Sequence, residues 1–275
     1  MRLHFSASSA LRWITLVAVT VATPISFTGC GSSAFSNPAT TTATTASMLM
    51  ETENASSPTV LLFNGTGTIS SDVSAVEAIL KNLALSYATA NSSEMDSMSE
   101  TKLKSYKLLI VPGGNSITIG NNLSHTATTN IHNAVEAGLH YLGICAGGFF
   151  GGYSIYNGLN LTSGVWFNVY ENYGKGTQKT AVEISSPNSG KLDQFWEDGP
   201  QFSGWGSIVG EYPDGTPAIV EGKFGAGWVI LSGFHPEAPE SWRYGMTFTT
   251  SAAVDNAYAG TLVSAALNGT SLPHY

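Results

Sequence analysis

The chain has 275 residues, with 11 Lys+Arg against 19 Asp+Glu and a formal net charge of −8. Charged residues are 11% of the total, under half the share of about 25% usual in soluble proteins. The hydrophobic share of 43% excludes a disordered acidic chain. Only Arg2, Arg12 and Arg243 are arginines, and no basic cluster follows the extreme N-terminus. That excludes a nucleic-acid surface, which needs clustered Lys/Arg against phosphates. The two cysteines, Cys30 and Cys145, can build neither a disulfide framework nor a thiolate zinc site.

Residues 1–29 have the parts of an export signal. Arg2 and Arg12 supply positive charge, Trp13 to Ala22 is apolar, and Pro24 ends the run. The run is too short to span a bilayer comfortably. Ser26-Phe27-Thr28-Gly29-Cys30 resembles a bacterial lipobox, with Phe27 in place of the usual Leu. The resemblance implies lipidation of Cys30, a membrane anchor and a place in the cell envelope. Ordinary signal cleavage beside an incidental cysteine is the alternative. Cleavage would remove Arg2 and Arg12, leaving nine basic residues against 19 acidic ones and a mature charge of −10. Residues 30–57, rich in Ser, Thr and Ala without hydrophobic period, read as a flexible tether. The folded domain is expected over 58–275.

Within it, Thr59 to Phe63 reads as a buried strand that ends in the turn Asn64-Gly65-Thr66-Gly67. Ser70 or Ser71 can cap a helix whose apolar face carries Val73, Val76, Ile79, Leu80 and Leu83. Ser86 to Ala90 is a second strand, and Lys107 to Val111 is the clearest one, running into Pro112-Gly113-Gly114. A helix from Ser124 or Thr128 to Gly138 and a strand from His140 to Cys145 follow. Strands alternating with helices predict right-handed crossovers and a parallel sheet covered on both faces. After Asn157 shorter strands are expected at Val165 to Val169, Thr180 to Ile184, Ser207 to Glu211, Ala218 to Glu221 and Trp228 to Leu231. A hairpin turn falls at Lys223 to Trp228, and a last helix at Ala252 to Leu267.

Two strand ends carry the chemistry. In Gly143-Ile144-Cys145-Ala146-Gly147-Gly148 a strand delivers a cysteine into a glycine-flanked turn. Such a turn can hold a nucleophile in strained backbone angles with its sulfur exposed, ahead of a helix. The alternative is a structural cysteine in a glycine-rich turn. Gly233-Phe234-His235-Pro236-Glu237 ends another strand. It supplies a base and an acid to orient it, as a cysteine nucleophile requires.

Pro112-Gly113-Gly114, Gly143 to Gly147 and His235-Pro236-Glu237, in that order, resemble the class I glutamine amidotransferase superfamily. Within it, Tyr141 to Gly148 and Gly233 to Glu237 resemble the amidotransferase-like N-terminal domain of biotin-protein ligases. The resemblance implies a three-layer, flavodoxin-like α/β fold with a mostly parallel sheet and extra antiparallel strands in the C-terminal half. It implies Cys145 as nucleophile, His235 as base and Glu237 as orienting acid. Backbone N–H groups of Gly114 and Ala146, in a site that includes Gly113, would form an oxyanion hole. The family's glutamine four residues after the nucleophile is replaced by Phe149, and neither a synthase nor a ligase domain is recognisable. Glutamine amidotransfer and biotin ligation are therefore not expected. Three readings stay open: a cysteine hydrolase or amidase of a small substrate, a non-catalytic binding module, and a redox-sensing thiol. No metal or other cofactor is expected. Arg243 either binds a substrate carboxylate or pairs locally with Glu240 or a helix end, the latter being favoured. The aromatic groups Trp166, Phe167, Tyr170, Tyr173 and Phe195, Trp196, Phe202, Trp205 are read as core rather than cleft.

Overall fold

The computed structural model describes residues 58–171, 175–176 and 178–275. The expected signal (1–29), Cys30, the tether (30–57) and Tyr173 lie outside the described residues.

The first half alternates as the sequence predicts. β1 (Val60–Phe63) leads to α1 (Ser70–Asn82) and β2 (Tyr87–Ala90). Two short helices, α2 (Ser92–Asp96) and α3 (Glu100–Leu103), precede β3 (Leu108–Val111). α4 (Ser116–Asn121) and α5 (His125–Glu136) then lead to β4 (His140–Ile144) and α6 (Ala146–Gly151). The second half is strand-rich: β5 (Asn168–Val169), β6 (Lys179–Ser186), β7 (Gly190–Glu197), β8 (Pro200–Gln201), β9 (Ser207–Glu211), β10 (Pro217–Phe224) and β11 (Gly227–Ser232). A 3₁₀ turn (Glu240–Arg243) and α7 (Ala252–Asn268) close the chain.

Nine strands form one sheet in the order β2-β1-β3-β4-β11-β10-β9-β6-β7, and β5 pairs with β8 apart from it. β2, β1, β3, β4 and β11 are parallel, whereas β10, β9, β6 and β7 add antiparallel strands on one side. Residues alternate across the parallel part. Leu62, Ile110, Leu142 and Ile230 face Val76, Ile79, Leu262 and Val263 of α1 and α7. Leu61, Leu109, Tyr141 and Leu231 face Ile131, Val135 and Phe150 of α5 and α6. Burial on both faces is why these strands are continuously apolar in sequence.

Some local expectations need correction. Neither Ser70 nor Ser71 caps α1; Ile69 is the N-cap and makes no side-chain cap bond. The Ser71 hydroxyl instead donates to Asp72 Oδ2 at 3.3 Å. Ser124, by contrast, does cap α5, accepting from the Ala127 N–H at 3.1 Å. The strand expected at Val165 to Val169 shrinks to Asn168–Val169. β7 was not expected at all: Gly190-Lys-Leu-Asp-Gln-Phe-Trp-Glu197 mixes polar and apolar residues because it forms the sheet's edge. Trp166, read as core, stands exposed.

Candidate functional site

β3, β4 and β11 end level with one another, Val111 beside Gly143 and Ile144 beside Ser232. Open α/β sheets bind ligands outside the carboxyl ends of such strands. All three resemblance motifs follow directly from these ends. The cleft there has a volume of about 660 Å³ and is lined among others by Gly114, Cys145, Ala146, Phe149 and His235.

Cys145 sits between β4 and α6 with φ 49° and ψ −105°, a region that L residues enter at a cost of order 1–3 kcal/mol. Pairing on both sides enforces it. Its N–H donates to the Ser232 carbonyl at 2.8 Å, and its own carbonyl accepts from Gly148 and Phe149 at 2.9 and 3.1 Å. The close helix needs glycine: a Cβ on Gly147 would collide with the Val111 carbonyl. The strained turn matches the sequence expectation, but the exposed sulfur does not. Cys145 is only 6% exposed, because its thiol lies beneath the end of β7 and donates to the Glu197 carbonyl at 3.5 Å.

His235 is held by that same unexpected strand, its N–H donating to the Phe195 carbonyl at 2.8 Å. Its ring lies between the edges of Phe195 and Trp242, at centroid distances of 5.8 and 5.7 Å. Nδ1–H donates to Glu237 Oε1 at 3.0 Å, which directs the other ring nitrogen to proton transfer. Burial, the largest single influence, pulls the ring's pKa down. The negative charge of a Cys145 thiolate and of Glu237, and hydrogen bonds to both, more than reverse this, so it lies well above the ordinary 6.5. The ring therefore holds its proton more tightly than a free imidazole does.

Gly114 and Ala146 both line the cleft. Gly114 bridges to Thr68, but that bridge uses the Asn115 N–H to Gly67 and the Ile69 N–H to Gly113. It leaves the Gly114 N–H unused by the pairing. Ala146 begins α6, where N–H groups have no partner within the helix. Gly113 lies one step back, below His235.

Sequence reasoning missed Asp72, whose Oδ1 lies 3.4 Å from His235 Nδ1. The available signal was an acid at the i, i+4 and i+7 spacing of Val76 and Ile79, on the buried face of α1. It also missed Phe195 and Trp242 as walls of the His235 ring. Asp72, His235 and Glu237 bring ligand-type atoms within 4.8 Å of one another. Nδ1, however, is already committed to a carboxylate, so this is a hydrogen-bonded network rather than a metal cradle. Among the aromatic residues singled out in the sequence, Phe195 lines the cleft. Phe167, Tyr170, Trp196 and Phe202 are core.

Arg243 lies outside the cleft lining. It is buried, with Nη2 3.1 Å from Asp255 Oδ2 and donating to the Thr250 carbonyl at 2.7 Å. Its guanidinium stacks 3.7 Å from the Phe248 ring centroid. Local pairing is thus its role, with α7's first turn as the partner.

The fold and the three strand-end motifs resemble those of class I glutamine amidotransferase-like domains. Residues 58–162 match the family described as "Biotin-protein ligase, N terminal". Among curated proteins, a biotin–protein ligase of Schizosaccharomyces pombe is 26% identical over 159 residues, 47% of this chain and 25% of the ligase. The chain thus spans about a quarter of that ligase's length. The pyridoxal 5'-phosphate synthase subunit PdxT of Pyrobaculum aerophilum is 27% identical over 146 residues, 49% of this chain and 72% of the subunit. Among solved structures, a glutamine amidotransferase superposes with a TM-score of 0.57 at 20% identity, covering 77% of this chain and 100% of that one. PurLQS from Thermotoga maritima follows at 0.52 and 17%, covering 75% and 98%. The resemblance read from the motifs, to the biotin-protein ligase N-terminal domain within the amidotransferase-like class, therefore stands.

Proposed function

We propose that this chain is an exported, lipid-anchored cysteine hydrolase that cleaves a small amide or ester. The observation that carries the reading is the strained Cys145 in one cleft with the buried His235–Glu237 pair. In the proposed reaction the Cys145 thiolate attacks the substrate carbonyl carbon. Gly114 and Ala146 N–H groups receive the oxyanion, and His235 protonates the departing amine or alcohol. A water deprotonated by His235 then attacks the thioester, returning the thiol and releasing the acid. The cleft volume suits a small substrate. Phe149 on its wall, where amidotransferases place a glutamine, argues for an apolar substrate group instead of a glutamine side chain. The envelope location rests on the Cys30 lipobox-like sequence alone.

The test is a panel of small amides and esters against the purified chain and its Cys145→Ala variant, with iodoacetamide alkylation of Cys145 in parallel. Turnover lost in the variant supports the hydrolase. A thiol no more reactive than free cysteine, with no turnover on any substrate, would leave the binding-module reading. Phe149 and the buried sulfur are what favour that second reading.

A further inference from the structure

Two carboxyl groups converge on one imidazole nitrogen. Glu237 Oε1 stands 3.0 Å and Asp72 Oδ1 3.4 Å from His235 Nδ1. They arrive from distant parts of the chain, Glu237 from the turn after β11 and Asp72 from the first turn of α1. Asp72 has 4% of its surface exposed. A carboxyl at such a position is costly to bury unless it is paired. Its recorded partners among the described residues are Ser71, which takes Oδ2, and His235, which takes Oδ1.

The Pro112-Gly113-Gly114 turn is shaped around this meeting. A Cβ on Gly113 would overlap Asp72 Oδ1 and come within 2.5 Å of His235 Cε1. Gly113 lacks a positive φ, so the requirement for glycine there is one of space. The space it leaves is where the acid and the ring meet.

We propose that Asp72 is a positioning residue of the Cys145 site: a second carboxyl on His235 Nδ1 that, with Glu237, sets the ring's tilt and strengthens its hold on a proton. The proposal deepens the hydrolase reading, since it assigns how that reading's base is held. Burial pushes the Asp72 carboxyl up to about 6, with His235 and Ser71 pulling down and Glu237 and Glu197 pushing up. At His235, Cys145 and Glu237 dominate the upward influences. Asp72 adds its full charge only once it has ionised, above about pH 6. The charged and titratable groups around the pair are thus Cys145 after β4, Glu197 at the end of β7, and His235 and Glu237 after β11. A site of this kind changes its charge in the pH range of a mildly acidic surrounding.

The experiment follows the His235 ring by imidazole NMR titration of the full chain, with the pH profile of Cys145 alkylation by iodoacetamide as a second readout. Asp72→Asn removes the charge and keeps the shape. Gly113→Ala keeps both charges and separates them, so it substitutes if the first variant folds poorly. Each should lower the His235 midpoint, by about one pH unit for an opposite charge lost at this range. Each should also erase a step near pH 6 in the alkylation profile. Asp72→Glu should restore part of both. A His235 midpoint and an alkylation profile that superimpose on the parent's in Asp72→Asn and Gly113→Ala overturn the proposal, even if Cys145 is fully active. If Cys145 is unreactive, the hydrolase reading fails, while the His235 midpoint still decides the role of Asp72.

Discussion

Replacing Asp72 by Asn should make the protein more stable near neutral pH. Asp72 is buried, and burial is the largest influence raising its carboxyl from 3.8 to about 6. The native state therefore binds a proton that the unfolded chain releases earlier. For an acid raised on folding, the contribution is fully present below about 3.8 and is lost as pH rises through about 6. The interval of roughly two pH units, at 1.36 kcal/mol per unit, comes to about 3 kcal/mol. Asn mimics the protonated acid without titrating. Its advantage over Asp should be near zero at low pH, grow through the window, and level off above pH 6. Asp255, which rises to the same value, is present in both proteins and cancels in the difference. Urea unfolding of parent and variant across that range measures the quantity, with equal m-values required for the comparison. Were the Asn variant less stable than the parent above pH 6, attraction to the imidazolium would outweigh desolvation and the reasoning would be refuted. The expected outcome, a gain in stability with a weakened His235, is what a residue kept for function would show.

Three other changes separate chemistry from architecture. Cys145→Ala should abolish any turnover and the alkylation that peptide mapping places at position 145, leaving any at Cys30 unchanged; residual turnover by the variant would remove Cys145 from the mechanism. Arg243→Met leaves Asp255 buried without its cation and should cost about 3–5 kcal/mol in unfolding free energy. Adding Asp255→Asn should recover much of that, and Cys145 alkylation in the folded protein should be unchanged; a selective loss of alkylation would instead tie Arg243 to the site. Gly147→Ala drives a methyl against the Val111 carbonyl and should cost about 1–3 kcal/mol, read from the same urea curves; a neutral result would show that α6 can retreat from β3.

Where the physics repeats along the chain, the sequence was readable. β1 and β3 are buried on both faces, so each is an unbroken apolar run bounded by a turn, and of the two starts the sequence offered for α5, Ser124 and Thr128, the structure takes Ser124. The Cys145 turn was readable because few side chains fit so close a helix. β7 was hidden, since as an edge strand it places Lys191, Asp193 and Gln194 among apolar residues. Its absence from the reading also hid the roof over the thiol and the anchor for His235, as both depend on pairing across the sheet. Asp72 escaped for a related reason. Its neighbour Ser71 looked like a cap, while the partner that gives the acid meaning lies 163 positions away.

The split between what was readable and what was not follows the division of labour in the site. Cys145, His235 and the N–H groups of Gly114 and Ala146 all follow the ends of parallel strands, where the sheet itself fixes their separation. The cleft wall is drawn from other places: Phe149 on α6, Phe195 and Glu197 from β7, Trp242 and Tyr244 from the segment after β11. Strand ends can therefore keep one reactive geometry while the wall changes around it, and a fold-level likeness speaks to the first alone. Phe149 shows the consequence. It leaves the Cys145–His235 arrangement intact, yet it removes the polar side chain that the amidotransferase pattern places against its substrate. In the proposed hydrolase the choice of substrate would then rest on Phe149, Phe195 and Trp242, three apolar faces around a buried thiol, with Glu197 and Asp198 supplying carboxyls at the same edge.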